Sequence, residues 1–205
     1  MNTTNIFVEL VVIGFHTLIG IAIIVLALFG YQSADTEKLL TINLALPVLA
    51  TAYILGILID RVSDRIFIAQ DYKMRPSGSE ANLPPFLTMR FYILHKSSDI
   101  YAQLEYIRSR LRIARASVFN FILMTIAVLV FVWLQFGKSL PAQNSILIYA
   151  STLGVGAILT LASYQSWRGL VTSYSISTIR AYTLLRDEET KNQSAEKITK
   201  DKHHA

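Results

Sequence analysis

The stretch GILIDRVSDRIF, residues 56–67, closes an uncharged apolar run with two acid–base pairs, Asp60-Arg61 and Asp64-Arg65. The run behind it, LLTINLALPVLATAYILGILI (39–59), is long enough to cross about 30 Å of hydrocarbon as a helix. The four charges therefore mark the place where a helix leaves the membrane. Three other runs share this character: IFVELVVIGFHTLIGIAIIVLALFG (6–30), SVFNFILMTIAVLVFVWLQFG (117–137) and SILIYASTLGVGAILTLASYQSW (145–167).

Composition agrees. Of 205 residues 53% are hydrophobic and 16% charged, which argues against a soluble domain. The chain has no cysteine, so disulfides, thiolate metal sites and a cysteine nucleophile are excluded. The first run is too long for a signal-peptide core and follows no basic segment, so it reads as a retained span.

Direction follows from the basic residues. The short connections 31–38 and 138–144 hold only Lys38 and Lys138, while the other seventeen of nineteen Lys and Arg lie in 60–116 and from Arg168 onward. By the positive-inside rule both basic regions and both termini face the cytoplasm, giving a multi-pass protein of the plasma (inner) membrane. Acidic residues are interspersed with the basic ones, so nucleic acid is not an expected partner. Asp35 and Thr36 are candidate caps for the second span and Asn144 for the fourth, and Pro47 is expected to kink the second span.

The helices continue past the membrane. DRVSDRIFIAQDYKM has no breaker before Arg75-Pro76, and RPSGSEANLPP (75–85) is the clearest loop. PFLTMRFYILHK (85–96) is an amphipathic helix, lying on the inner leaflet or packed on the bundle. Ser97 or Ser98 can cap the next helix, whose Ile100, Leu104, Ile107, Leu111, Ala114, Val118 and Phe121 make a heptad-like seam into the third span. Trp167, Leu170, Val171, Tyr174, Ala181, Tyr182 and Leu185 form a second stripe beyond the fourth. Such stripes must be buried, so a cytoplasmic helical bundle is expected below four membrane helices.

The fold class is thus all-α. Residues 1–74 form a first transmembrane hairpin with a cytoplasmic extension, 75–97 a loop and interfacial helix, 98–187 a second hairpin with long stalks, and 188–205 a disordered polar tail.

Three groups of residues are candidates for function. Asp60, Arg61, Asp64 and Arg65, with Arg112, Arg115 and Arg168 at matching depth, read as an inter-helix charge lock or a pore mouth. Asp60 has no cation three or four residues away and is expected to pair with Arg115 or Arg112. Glu9, His16 and Asn43 are polar groups within spans, with His16 expected to bond to Asn43, Thr51 or Tyr53. Glu105, Arg108, Arg112 and Arg115 read as a stalk surface for docking a partner. Ala52 with Gly56 and Ala150 with Gly154 have the spacing of close helix contacts.

Catalytic signals are absent. Gly137-Lys138-Ser139 lacks the first glycine of a P-loop, and no GxSxG, HExxH or GxGxxG occurs. The expectation is a non-enzymatic membrane protein without cofactor or metal. Its partners would be the bilayer, further copies of itself and a cytoplasmic protein. A homo-oligomeric sensor or scaffold whose stalks dock that protein comes first. A channel or membrane-permeabilising effector lined near His16 and Asp60 comes second, and a proton-coupled transporter using Glu9 and His16 third.

Overall fold

The computed structural model describes residues 3–30, 44–74, 83–137 and 141–203. Five helices account for nearly all of them: α1 (Thr3–Phe29), α2 (Ala45–Met74), α3 (Phe86–Lys96), α4 (Ser98–Phe136) and α5 (Ala142–His203). α1, α2, α4 and α5 are long and apolar enough to cross a membrane. At 1.5 Å per residue, the 62 residues of α5 extend about 93 Å, three times the thickness of a hydrocarbon core.

Contacts divide the molecule into two halves. In the apolar half α1 packs on both α2 and α4, and α5 packs on α4, so the helices form a row in the order α2, α1, α4, α5. α1 and α4 run in the same direction, with Glu9 beside Arg112, Asn120 bonded to Thr17 and Gln135 bonded to Ala27. The row is held by close backbone approach. A Cβ on Gly14 would lie 1.6 Å from the Ala52 carbonyl oxygen, and one on Gly56 would lie 1.9 Å from that of Leu10. In lipid, where apolar burial drives nothing, such contacts carry helix association. The expected Ala52/Gly56 pair thus lies at the α1–α2 crossing. Ala150 and Gly154 do not make a contact of this kind: both are exposed, and the tight approach of α5 is two residues further on, where Gly156 meets the Thr125 side chain.

In the charged half α2 reaches α4 and α5, and α3 fills the remaining side. Trp167 and Ile93 are completely buried there, with Phe67, Met89, Leu104, Leu111 and Val171 around them. Phe67 meets Trp167 edge-on at 4.7 Å, Phe86 meets Tyr174 at 5.6 Å and Tyr92 meets Tyr182 at 5.1 Å. From the two sequence stripes, Leu104, Leu111 and Val118 of α4 and Trp167, Val171, Tyr174, Ala181 and Tyr182 of α5 are buried; Glu105, Arg115, Asn120, Ser175 and Thr178 are buried outside them.

Of the two placements the sequence left open for it, α3 takes packing on the bundle: it docks on α4 and α5 through Met89 and Ile93, while Leu87, Phe91 and Leu94 remain exposed on its other side. Several expectations need correcting. Pro47 falls in the first turn of described α2, where its missing N–H breaks no ladder bond, so the argument for a mid-span kink fails. α5 begins immediately after Pro141, whose carbonyl accepts from the Ser145 N–H at 3.1 Å; Asn144 is inside the helix and is not its cap. The tail is helical through His203 instead of disordered. No glycine or proline follows Gly169, and Glu189 anchors the helix by accepting from Tyr92 Oη at 2.6 Å and Lys96 Nζ at 2.8 Å. Asp35, Thr36 and Asn43 lie outside the described residues. Ser97 caps α4, its Oγ accepting from the Ile100 N–H at 3.4 Å.

Candidate functional site

The inward face of α2 carries Ala52, Gly56, Ser63, Phe67 and Asp71 at helical spacing. Asp60 and Asp64 stand on the same side, because four residues are close to one turn. Opposite them on α4 is Arg115, with a side chain only 5% exposed. Its Nη1 lies 2.5 Å from Asp64 Oδ1 and 3.7 Å from Asp71 Oδ2, and its Nη2 lies 3.3 Å from Asp60 Oδ1. One guanidinium thus faces three carboxylates of one helix, and an arginine fork is the side chain suited to that arrangement.

Arg112 is not part of this contact. One turn from Arg115, it pairs with Glu9 of α1, Nη2 to Oε2 at 3.0 Å. Glu9 is buried, so its counter-charge comes from another helix and not from the α1 N-terminus. Arg65 is exposed and takes no part among the described ion pairs of the cluster. Arg168 is likewise removed from it: exposed on α5, it lies over the ring of Tyr164 one turn away, at 5.9 Å.

A third pair joins α3 to α4. Arg90 Nη2 donates to Glu105 Oε1 at 2.6 Å and to Tyr101 Oη at 3.4 Å, with Arg108 3.5 Å from the same Glu105 oxygen. Burial alone would pull the Arg90 guanidinium down, but Tyr174, Glu105 and Tyr101 outweigh it and raise its pKa above the usual arginine value. It stays charged. This pairing corrects the expected docking surface. Glu105 and Arg115 are buried and Arg112 nearly so, which leaves only Arg108 substantially open to solvent. Each of the three arginines faces a carboxylate of the same chain.

Compared with protein families, with characterised proteins and with solved structures, the chain shows no match.

Between these pairs lies a cavity of about 660 Å³. Asp60, Asp64 and Asp71 of α2 form one wall; Arg112 and Arg115 of α4, Arg90 of α3, and Tyr174 and Ser175 of α5 form the others. Arg61 and Arg108 complete its charged lining. Several lining groups are buried without a hydrogen-bond partner: Nε of Arg90, Arg112 and Arg115, the Tyr174 hydroxyl and the Ser175 Oγ. All of these can donate.

The intramembrane polar residues have other roles. His16 Nδ1 is 2.9 Å from the Val12 carbonyl of its own helix, and its ring meets Phe121 edge-on at 6.3 Å. Of the expected partners, Thr51 donates to the Pro47 carbonyl, Tyr53 packs against Phe7 with ring centroids 5.1 Å apart, and Asn43 lies outside the described residues. The sequence reading overlooked Asn120. Its Nδ2 donates to the Ile13 carbonyl at 2.9 Å and its Oδ1 accepts from Thr17 Oγ1 at 3.0 Å, fastening α4 to α1. A lone amide within an apolar run was the available signal. Asp71 and Arg90 were also missed: Asp71 stands two turns beyond Asp64 on the same face of α2, where helical spacing was the available signal, whereas Arg90 lies on another helix and only the fold brings it near.

Proposed function

We propose that this chain is a non-enzymatic membrane sensor or scaffold, with the cavity as its receiving site and its extended helices as its output. The observation that carries this reading is the convergence of all five helices on one polar junction. Glu9 brings α1, Asp60, Asp64 and Asp71 bring α2, Arg90 brings α3, Arg112 and Arg115 bring α4, and Tyr174 brings α5. A relative shift of any span changes distances between charges in a low-dielectric setting, where such changes weigh most.

The bias of Lys and Arg supports placing this junction at the cytoplasmic face of the inner membrane. The far side of α5 exposes Ile146, Leu147, Leu153 and Ile158, a surface that lipid or further copies of the chain would cover. α5 runs well past its anchor at Glu189 and offers a soluble partner a rigid helix.

The channel reading needs His16 and Asp60 on one water path; His16 bonds back to the Val12 carbonyl of its own helix, and Asp60 pairs with Arg115. The transporter reading needs Glu9 and His16 as a relay, and Glu9 is held by Arg112. Ion flux from liposomes carrying the purified protein is the test. The expected result is no flux at varied voltage, pH and lipid composition. Flux whose selectivity or gating changes in Asp60→Ala or His16→Ala would replace the sensor with a channel.

A further inference from the structure

We propose that the junction cavity binds a phosphate-bearing ligand, its phosphate seated against Arg90, Arg112, Tyr174 and Ser175. This names the ligand class of the sensor and rests on that reading.

The asymmetry of the cavity carries the argument. On the α2 side three aspartates already share Arg115, and a second anion would be repelled there. On the other side the guanidinium groups keep unused donors. Arg90 engages Glu105 and Tyr101 through Nη2, which leaves its Nε without a partner. Arg112 meets Glu9 through Nη2 and keeps an unpartnered Nε. Tyr174 and Ser175, 6% and 1% exposed, add two hydroxyls without partners. A buried donor left unmade costs about 1–3 kcal/mol, so a cluster of them is held ready for an acceptor. Arginine forks and hydroxyls that converge from three helices suit an oxyanion with several acceptor oxygens, and phosphate is the group that supplies them.

Volume and depth narrow the choice. About 660 Å³ is far more than a bare phosphate ion fills and falls within the range of small-molecule sites, roughly 300–1,000 Å³. Asp60, on the wall, follows directly on the last residue of an apolar span, so the cavity opens at the level where lipid phosphates lie. A phospholipid head group and a soluble phosphate ester share this chemistry.

The test uses full-length protein, purified in detergent and stripped of lipid, titrated calorimetrically with inorganic phosphate, glycerol 3-phosphate and short-chain phosphatidylglycerol. Saturable binding of at least one is expected. Binding of phosphatidylglycerol alone identifies a head-group site, and binding of glycerol 3-phosphate or phosphate identifies a soluble source; either supports the proposal. Tyr174→Phe, Ser175→Ala and Arg90→Lys should each weaken binding roughly five- to tenfold, the loss of one hydrogen bond. The unliganded Tm of Tyr174→Phe and Ser175→Ala should stay level or rise, since each loses an unpartnered buried hydroxyl. No saturable binding, as in a cavity filled only by water, would overturn the proposal. So would affinity unchanged in all three variants, or an unliganded Tm that falls in step with affinity. Failure here leaves the no-flux result standing, whereas flux would defeat the sensor reading and leave the binding result intact.

Discussion

Asn120 and Arg115 lie five residues apart on α4, both are buried, and both tie α4 to another helix. Asn120 does so in the apolar half with two neutral hydrogen bonds to α1. Arg115 does so in the charged half with one cation against three carboxylates of α2. On the proposed reading, in which the apolar half lies in lipid and the charged half in water, the difference reflects two solvents. In hydrocarbon, helices gain little from burying apolar surface, so the row is held by close approach at Gly14, Ala52 and Gly56 and by a few amide bonds. Beyond the membrane apolar burial is favourable, so the helices close around Trp167 and Ile93, and charges brought inside are retained only in pairs.

That comparison can be broken at Arg115 first. Arg115→Ala leaves three carboxylates together near a buried wall and should cost about 3–5 kcal/mol. Hydrogen exchange should quicken around 60–72 and 104–116 and hardly change at the Gly14–Gly56 crossing. A uniform loss of protection would mean that the halves do not behave separately. Gly56→Val is the converse. Its Cβ meets the Leu10 carbonyl, and overpacking of this kind costs about 1–3 kcal/mol. Thermal unfolding in nanodiscs should show the loss, with exchange quickened in α1 while Trp167 keeps its buried fluorescence.

Asn120→Ala sharpens the membrane side. Polar contacts between membrane helices are worth about 0.6 kcal/mol and at most about 1.7, so this change should be milder than either of the others. Unfolding of Asn120→Ala, Thr17→Ala and the double variant would measure the coupling. A coupling as large as the Arg115 loss would contradict the assignment of the two solvents.

The smallest effect concerns the edge of the charged half. Hydrogen bonding to Glu189 pushes the Tyr92 hydroxyl up to about 12. A raised folded value means that this contact is fully present below the ordinary tyrosine pKa of about 10 and is lost as pH rises through the folded value. Protease protection of the α5 tail should therefore be constant to about pH 10 and decline above it. Tyr92→Phe should lessen that decline, and Tyr92→Phe combined with Lys96→Met should abolish it, because Lys96 also holds Glu189.

Much of the fold was legible because it depends on periodicity. Four apolar runs predict four spans, and the stripes at Leu104, Leu111 and Val118 and at Trp167, Val171 and Tyr174 predict faces that are buried. Asp60 could be seen to lack a local cation, and Arg115 stood at the right depth to supply one. The site was less legible. Arg112 and Arg115 are three residues apart and look equivalent in sequence, yet one faces α1 and the other α2. Glu105 and Arg108 look like a solvated surface until α3 places Arg90 on Glu105. The tail was read as disordered from its polarity, although it contains no residue that stops a helix.

The sequence by itself determined where helices lie, which faces are apolar and where the charges begin, because these follow from hydropathy and from spacing along one helix. The tertiary structure alone decided which arginine meets which acid, that the spans form an open row, and that unpartnered donors from three helices surround one cavity. Those outcomes depend on the rotation and crossing of whole helices, set by contacts such as Gly56 against Leu10 between residues far apart in the chain.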